Sequence, residues 1–139
     1  MKPPEVNGLI ERARALVVAA MPDVVAVYVF GSAATGHYSA GSDLDLAVLH
    51  RRPLAPRETY DLARKIEAEL GQDVDLVDLM TASTVLKYEV IALGRLVHCA
   101  DRDTTIEFEG RSLAEHGRFV EDFAPLFQQI RESGRAYGQ

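Results

Sequence analysis

Two pairs of aspartates have the spacing best suited to chemistry in this chain. Asp43 and Asp45 open one apolar segment, and Asp73 and Asp75 open another. On a strand, residues i and i+2 project from the same face, so each pair places two carboxylates side by side. Such carboxylates repel each other unless a cation lies between them, and hard oxygen ligands suit Mg²⁺. If the two strands are neighbours, three carboxylates could hold two metal ions, as in enzymes that displace groups at phosphorus.

A glycine–serine turn stands ahead of the first aspartate pair. Gly31 and Ser32 follow an apolar, β-branched segment and are separated from Asp43 by ten residues. Glycine lets a backbone approach a phosphate closely, and a short helix starting at Ser32 would direct N–H groups toward it. Gly-Ser is also a common turn, so the signal comes from the strand before it and the Asp-x-Asp after it. Together they predict a phosphate site beside a metal site.

The charge and composition exclude several classes of protein. The 139 residues include 15 Lys and Arg against 21 Asp and Glu, a formal net charge of −6. Passive binding of nucleic acid needs a basic face, so no direct nucleic-acid binding is expected. No stretch approaches the roughly 18 apolar residues that span a bilayer, so no membrane partner is expected. The single cysteine, Cys99, cannot form an internal disulfide, which favours a cytoplasmic location.

The elements that must position these residues follow from hydrophobic periodicity. The pattern predicts helices over 5–20, 57–70, 82–93 and 103–137, and strands over 24–30, 43–49, 73–79 and 95–99. We therefore expect a single domain over residues 1–139 with an α+β fold, in which helices pack on a small mixed sheet of about four strands.

The C-terminal helical segment, about 103–137, carries a wide apolar stripe. Most of the stripe is expected to pack on the sheet, and a remaining exposed part would suit a partner surface or self-association. Its members are Leu113, Phe119, Val120, Phe123, Phe127 and Ile130.

The pattern Phe30-Gly31-Ser32, ten residues, then Asp43-Leu44-Asp45-Leu46 resembles the hG-S-x10-D-x-D-h signature of the DNA polymerase β-like nucleotidyltransferases. Gly36 and the Ser42-Asp43 junction also match the minimal nucleotidyltransferase branch. The later segment 73–79 is similar to that branch's third-carboxylate strand, and the resemblance covers most of the chain. At this length the chain resembles the antitoxin members of HEPN/MNT toxin–antitoxin pairs.

This resemblance implies a nucleotidyltransferase-like fold and a transferase activity. AMP would pass from ATP to a tyrosine hydroxyl of a cognate HEPN ribonuclease toxin, which would be silenced. Asp43, Asp45 and Asp75 would be the catalytic residues and the ligands of two Mg²⁺ ions, and Asp75 could act as general base.

The resemblance also assigns the nucleotide site and leaves one carboxylate open. Gly31, Ser32 and Ser42 would bind the nucleotide. Asp73 is the alternative third carboxylate because it shares the face of Asp75. Asp78 falls on the opposite face and is interpreted as a strand-end residue.

One position departs from the family pattern. Many relatives carry an arginine two or three residues beyond the serine, where this chain has Ala34 and Thr35. A triphosphate contact is therefore missing or supplied from elsewhere, with His37, Arg51, Arg52 and Lys65 as candidates. The rival interpretations are a stand-alone small-molecule nucleotidyltransferase, for which 139 residues leave little acceptor-binding room, and a catalytically weak antitoxin that acts by binding alone.

Overall fold

The computed structural model describes residues 3–122 and residue 125. Its elements, in chain order, are α1 (Pro3–Ala20), β1 (Ala26–Phe30), α2 (Ser32–Thr35), β2 (Leu44–Leu49), α3 (Pro56–Leu70), β3 (Val74–Asp78), α4 (Thr84–Tyr88) with a π-helical continuation (Glu89–Leu93), β4 (Arg95–Cys99) and α5 (Arg102–Asp122). The four predicted strands and the first three predicted helices are confirmed. Phe123, Phe127 and Ile130 lie outside the described residues.

The strands form one mixed sheet in the order β3-β2-β1-β4. β1 runs antiparallel to both β2 and β4, whereas β2 and β3 are parallel. This confirms the predicted four-stranded mixed sheet. As a consequence, the end of β1 and the beginnings of β2, β3 and β4 meet at one edge of the sheet, which we call the site edge.

Each face of the sheet is covered by its own helices. Helices α1 and α3 cover one face, where an apolar stripe on α1 packs against inward residues of β1 and β2; this core includes Ile10, Val17, Val29, Leu46 and Ile66. The other face is covered by the segment from α4 to α5, with Val90 and Phe108 packed against Tyr28 and Ala47. The Tyr28 hydroxyl donates a 2.6 Å hydrogen bond to Glu109, which joins β1 to α5.

The final helix buries only part of its surface against the sheet. The buried residues of α5 are Thr105, Phe108 and Ser112, whereas Leu113 and Val120 are 41% and 40% exposed. Leu113 and Val120 therefore belong to the exposed part of the predicted stripe. Residues on a helix are rotated by about 100° from one to the next, so burying Ser112 turns Leu113 away from the core. No helix within the described residues is long and apolar enough to cross a membrane.

Candidate active site

The first aspartate pair stands where β2 enters the sheet at the site edge. Asp43 is exposed just before the strand, and Asp45 is half-buried within it. Leu44 and Leu46 between and beyond them are fully buried on the opposite face, beneath α1 and α3. A shift of one residue would bury the carboxylates and expose the leucines, so the apolar alternation fixes which way the aspartates face.

The third carboxylate lies directly across from this pair. β2 and β3 pair in parallel with Asp45 opposite Asp75, and Phe30 of β1 lies on the other side of Asp45. Asp75 is exposed, as is Asp73 just before β3. The fold thus brings together the carboxylates that the sequence singled out, with Asp75 in register beside Asp45. Their catalytic and metal-binding roles stay predictions.

The environment of Asp45 is strongly unfavourable to a negative charge. Burial, followed by the nearby charges of Asp75, Asp43 and Glu89, raises the pKa of the Asp45 carboxyl to about 6. Like charges and partial desolvation both favour the protonated form. The contribution of Glu89 was missed at the sequence level. This residue begins the π-helical turn, and nothing in a helical pattern indicates that its carboxylate faces a site on another element.

Asp78 has a structural role, as its position on the face opposite Asp75 predicted. It is buried, and its carboxylate accepts hydrogen bonds from the backbone N–H groups of Leu54 at 2.8 Å and Met80 at 3.0 Å. It therefore ties β3 to the loop that follows β2, at the end of the sheet away from the site edge.

Gly31 allows the turn after β1 to pass close to Asp45. Its φ of 69° lies in the left-handed region that disfavours side chains, and a Cβ atom at this position would overlap Oδ2 of Asp45. The carbonyl of Ser32 accepts the N–H of Gly36, which caps α2, and the N–H of His37 at 3.0 Å. The predicted juxtaposition of the glycine–serine turn with the carboxylates is thus present.

Ser42 organises the loop that leads into β2. Its hydroxyl accepts the backbone N–H of Ser39 at 3.0 Å, and its carbonyl accepts a hydrogen bond from the Gln72 side chain. The predicted nucleotide contact of Ser42 is not tested by these bonds, which hold the residue immediately before Asp43.

The carboxylates fit a divalent cation in their chemistry. Among the described residues no three His, Cys, Asp or Glu side chains already form a metal cage. Partial burial, followed by repulsion from the neighbouring carboxylates, raises the pKa of Asp45, and a bound cation would offset both effects. All the donors are carboxylate oxygens, which are the ligands that Mg²⁺ prefers, and this ion commonly completes its coordination with water and substrate phosphates.

Most of the predicted sources of positive charge lie at the end of the sheet opposite the site edge. Arg51 and Arg52 follow β2 at the opposite end of the sheet, where they pair with Asp101 at 3.0 Å and Glu58 at 2.7 Å. Lys65 lines a cleft with Arg52 at that same end. These three predictions are therefore wrong, because a strand's length separates the residues from the site edge.

Two basic residues do lie at the site edge. His37 follows α2, with its Nδ1 atom 3.0 Å from the Thr35 hydroxyl oxygen. Arg95, which was not among the predicted sources of positive charge, begins β4 directly opposite Val29 of β1. No local motif marks Arg95, since only the pairing of β4 with β1 brings it here.

Comparison with known proteins places this geometry in a known group. Residues 16–103 match the family model described as Polymerase beta, Nucleotidyltransferase. The chain is 39% identical over 83 residues to the protein adenylyltransferase MntA of Shewanella oneidensis, with 60% of each chain covered. The match thus spans about 60% of the length of that curated relative.

Solved structures agree in fold over most of the chain. A toxin–antitoxin crystal structure with AMP-PNP superposes with a TM-score of 0.78 at 28% identity, covering 87% of this chain and 97% of that one. The MNT antitoxin complex with tri-AMPylated Shewanella oneidensis HEPN toxin gives a TM-score of 0.70 at 27% identity, covering 94% and 99%.

Proposed function

Because the chain belongs to the polymerase β nucleotidyltransferase family, we propose that it is an antitoxin that transfers AMP from ATP to a tyrosine hydroxyl of a cognate HEPN toxin. The observation that carries this proposal is the pairing of Asp45 with Asp75 beside the turn at Gly31. The choice of acceptor is supported by the relatives, one of which is bound to a tri-AMPylated HEPN toxin.

The site edge combines a phosphate-binding turn with a cluster of carboxylates. Gly31 and Ser32 would hold the β- and γ-phosphates, with Ser42 supporting the loop beside them. Asp43 and Asp45 would ligate two Mg²⁺ ions, with Asp75 completing the second ligand set. When bound, the cations would neutralise charge developing on the phosphates and lower the pKa of the acceptor hydroxyl.

Asp75 is the residue we assign to proton transfer. It is exposed at the start of β3, where an incoming tyrosine can reach it, and it lies beside Asp45 in register. Asp75 would accept the tyrosine proton as the phenolic oxygen attacks the α-phosphorus. A tyrosine–phosphorus ester bond forms, the bond between the α-phosphorus and the bridging oxygen breaks, and pyrophosphate leaves. Asp73 is the reserve for this role.

The direct test is a transfer assay. The protein, ATP and Mg²⁺ are incubated with the product of the neighbouring gene, and the intact mass of that product is measured. We expect a gain of one or more AMP units. Replacing Asp43 and Asp45 together by Asn should abolish the gain. The control Asp61→Asn, at an exposed position of α3 that forms an ion pair with Arg57 at 3.6 Å, should retain it.

The possible outcomes separate the alternatives. No mass gain from a wild-type protein that binds ATP would refute the enzymatic proposal. If the Asp43/Asp45 variant still suppresses the toxin's ribonuclease activity without ATP, neutralisation is by binding alone. Transfer that survives this double substitution would show that the carboxylates are assigned wrongly.

A further inference from the structure

A cavity adjoins the site edge on the face covered by α1. It has a volume of about 290 Å³ and lies between α1, the α2 turn, Tyr38 and Arg95. Its walls are largely small and apolar, contributed by Val6, Ala33 and Gly36 among others. The carboxylates occupy the other face of the same edge, so the α2 turn separates the two features.

Arg95 brings positive charge to this cavity. It pairs across the sheet with Val29, and residues directly opposite in an antiparallel pair share a face, so Arg95 faces the α1 side. Within the described part of the chain no acidic side chain forms an ion pair with it. By contrast, Arg51, Arg52 and Arg64 each have a carboxylate within 3.0 Å.

Tyr38 connects the cavity to the carboxylates. Tyr38 lines the cavity, and its hydroxyl is buried without a hydrogen-bond partner among the described residues. The same hydroxyl lies within electrostatic reach of Asp43 and Asp45. A buried hydroxyl without a partner is rare in folded proteins, which makes Tyr38 a candidate donor to a bound ligand.

We propose that this cavity binds the terminal phosphate of the nucleotide, with the Arg95 guanidinium and the Tyr38 hydroxyl as donors. This inference rests on the proposed function, which places the reacting phosphate at Asp43 and Asp45. The β- and γ-phosphates then follow the turn at Gly31 and Ser32 toward the α1 face, so the γ-phosphate contacts Arg95 in addition to that turn. A guanidinium offers two parallel N–H donors to a phosphate, and residues 33–36 of the turn carry no charge of their own.

Nucleotides that differ in their phosphates provide the test. Binding of AMP-PNP and of AMP, each with Mg²⁺, is measured by isothermal titration calorimetry for the wild type and Arg95→Gln. We expect Arg95→Gln to weaken AMP-PNP binding by about tenfold or more, since a charge-assisted hydrogen bond is lost. AMP lacks the terminal phosphates, so its affinity should change by less than about twofold.

Three further variants sharpen the result. Arg95→Lys keeps the charge without the paired donors and should recover part of the affinity for AMP-PNP. Tyr38→Phe keeps the ring in the cavity wall and should give a smaller loss confined to AMP-PNP. Arg102→Gln removes an exposed arginine just beyond the far end of β4 and should change neither affinity. Thermal melting confirms that each variant is folded.

The outcomes are distinguishable from those of the transfer assay. Equal affinities of wild type and Arg95→Gln for AMP-PNP, or an equal loss for both nucleotides, would overturn the role of Arg95. AMP-PNP binding that depends on Arg95 in a protein that transfers no AMP would support this inference and refute the transfer proposal. A wild type that binds no AMP-PNP would refute both.

Discussion

Replacing Asp45 by Asn should make the metal-free protein more stable at neutral pH. Burial and neighbouring carboxylates raise the pKa of this group from 3.8 to about 6. A shift of about two units corresponds to about 3 kcal/mol between the two protonation states. Because Asp45 is only half-buried and water screens part of the repulsion, we expect Asp45→Asn to raise the free energy of unfolding by about 1–3 kcal/mol at pH 7.

The pH dependence of this gain has a definite sign. Since the pKa of Asp45 is higher in the folded state, the folded protein binds more protons than the unfolded chain between about pH 4 and pH 6. Stability contributed by the protonated carboxyl is therefore present at low pH and lost as the pH rises through about 6. The advantage of the variant should appear over this interval and vanish near pH 4.

Other carboxylates do not obscure the comparison. Hydrogen bonds and an arginine partner lower the pKa of both Glu58 and Asp101 to about 2. The protein therefore loses the stability that these ionised groups contribute as the pH falls. They are unchanged in the variant, and the difference between the two proteins isolates Asp45.

Urea denaturation in EDTA at several pH values, followed by circular dichroism, measures the effect. Asp61→Asn, an exposed substitution on α3, should stay within about 0.5 kcal/mol of the wild type. Added Mg²⁺ should stabilise the wild type more than Asp45→Asn. The reasoning is refuted if Asp45→Asn is no more stable than the wild type at pH 7, or if its advantage is the same at pH 4.

Three further substitutions probe the supports of the site by chemical denaturation. Gly31→Ala, whose Cβ would overlap Asp45, should cost about 2 kcal/mol or more, whereas Gly36→Ala, also at positive φ but in open space, should cost about 1 kcal/mol. Asp78→Asn loses one of two buried acceptor contacts and should cost about 1–3 kcal/mol. Tyr28→Phe removes the 2.6 Å bond to Glu109 and should cost about 1–2 kcal/mol; an effect below 0.3 kcal/mol would contradict this role.

Local periodicity was sufficient to predict the strands and the faces of their side chains. Apolar residues at Leu44 and Leu46 determine that Asp43 and Asp45 face the other way, and the same alternation separates Asp75 from Asp78. These features depend on a two-residue repeat that is visible in the sequence. The sheet order and the pairing of Asp45 with Asp75 needed the additional premise that β2 and β3 are neighbours.

Charges contributed by distant elements could not be predicted in this way. Arg51 and Arg52 were chosen because they follow β2 closely in sequence, but a strand carries the chain away from the site. Arg95 is far from Gly31 in sequence and close to it in space, because β4 pairs with β1. The exposed position of Leu113 could not be predicted for a similar reason, since a wide apolar stripe does not indicate which part of it is buried.

Glu89 and Arg95, the two charged residues that the sequence did not predict at the site edge, lie on either side of Gly94. A Cβ atom on Gly94 would lie 2.8 Å from the carbonyl oxygen of Val29 and 3.2 Å from Cβ of Phe30, so the chain passes against the end of β1 here. The residues before Gly94 form the π-helical turn on the carboxylate face, and the residue after it begins β4. The crossing therefore places the negative charge of Glu89 near Asp45 and the positive charge of Arg95 in the cavity on the opposite face. One glycine thus lets a single short segment supply opposite charges to the two ends of the proposed nucleotide path.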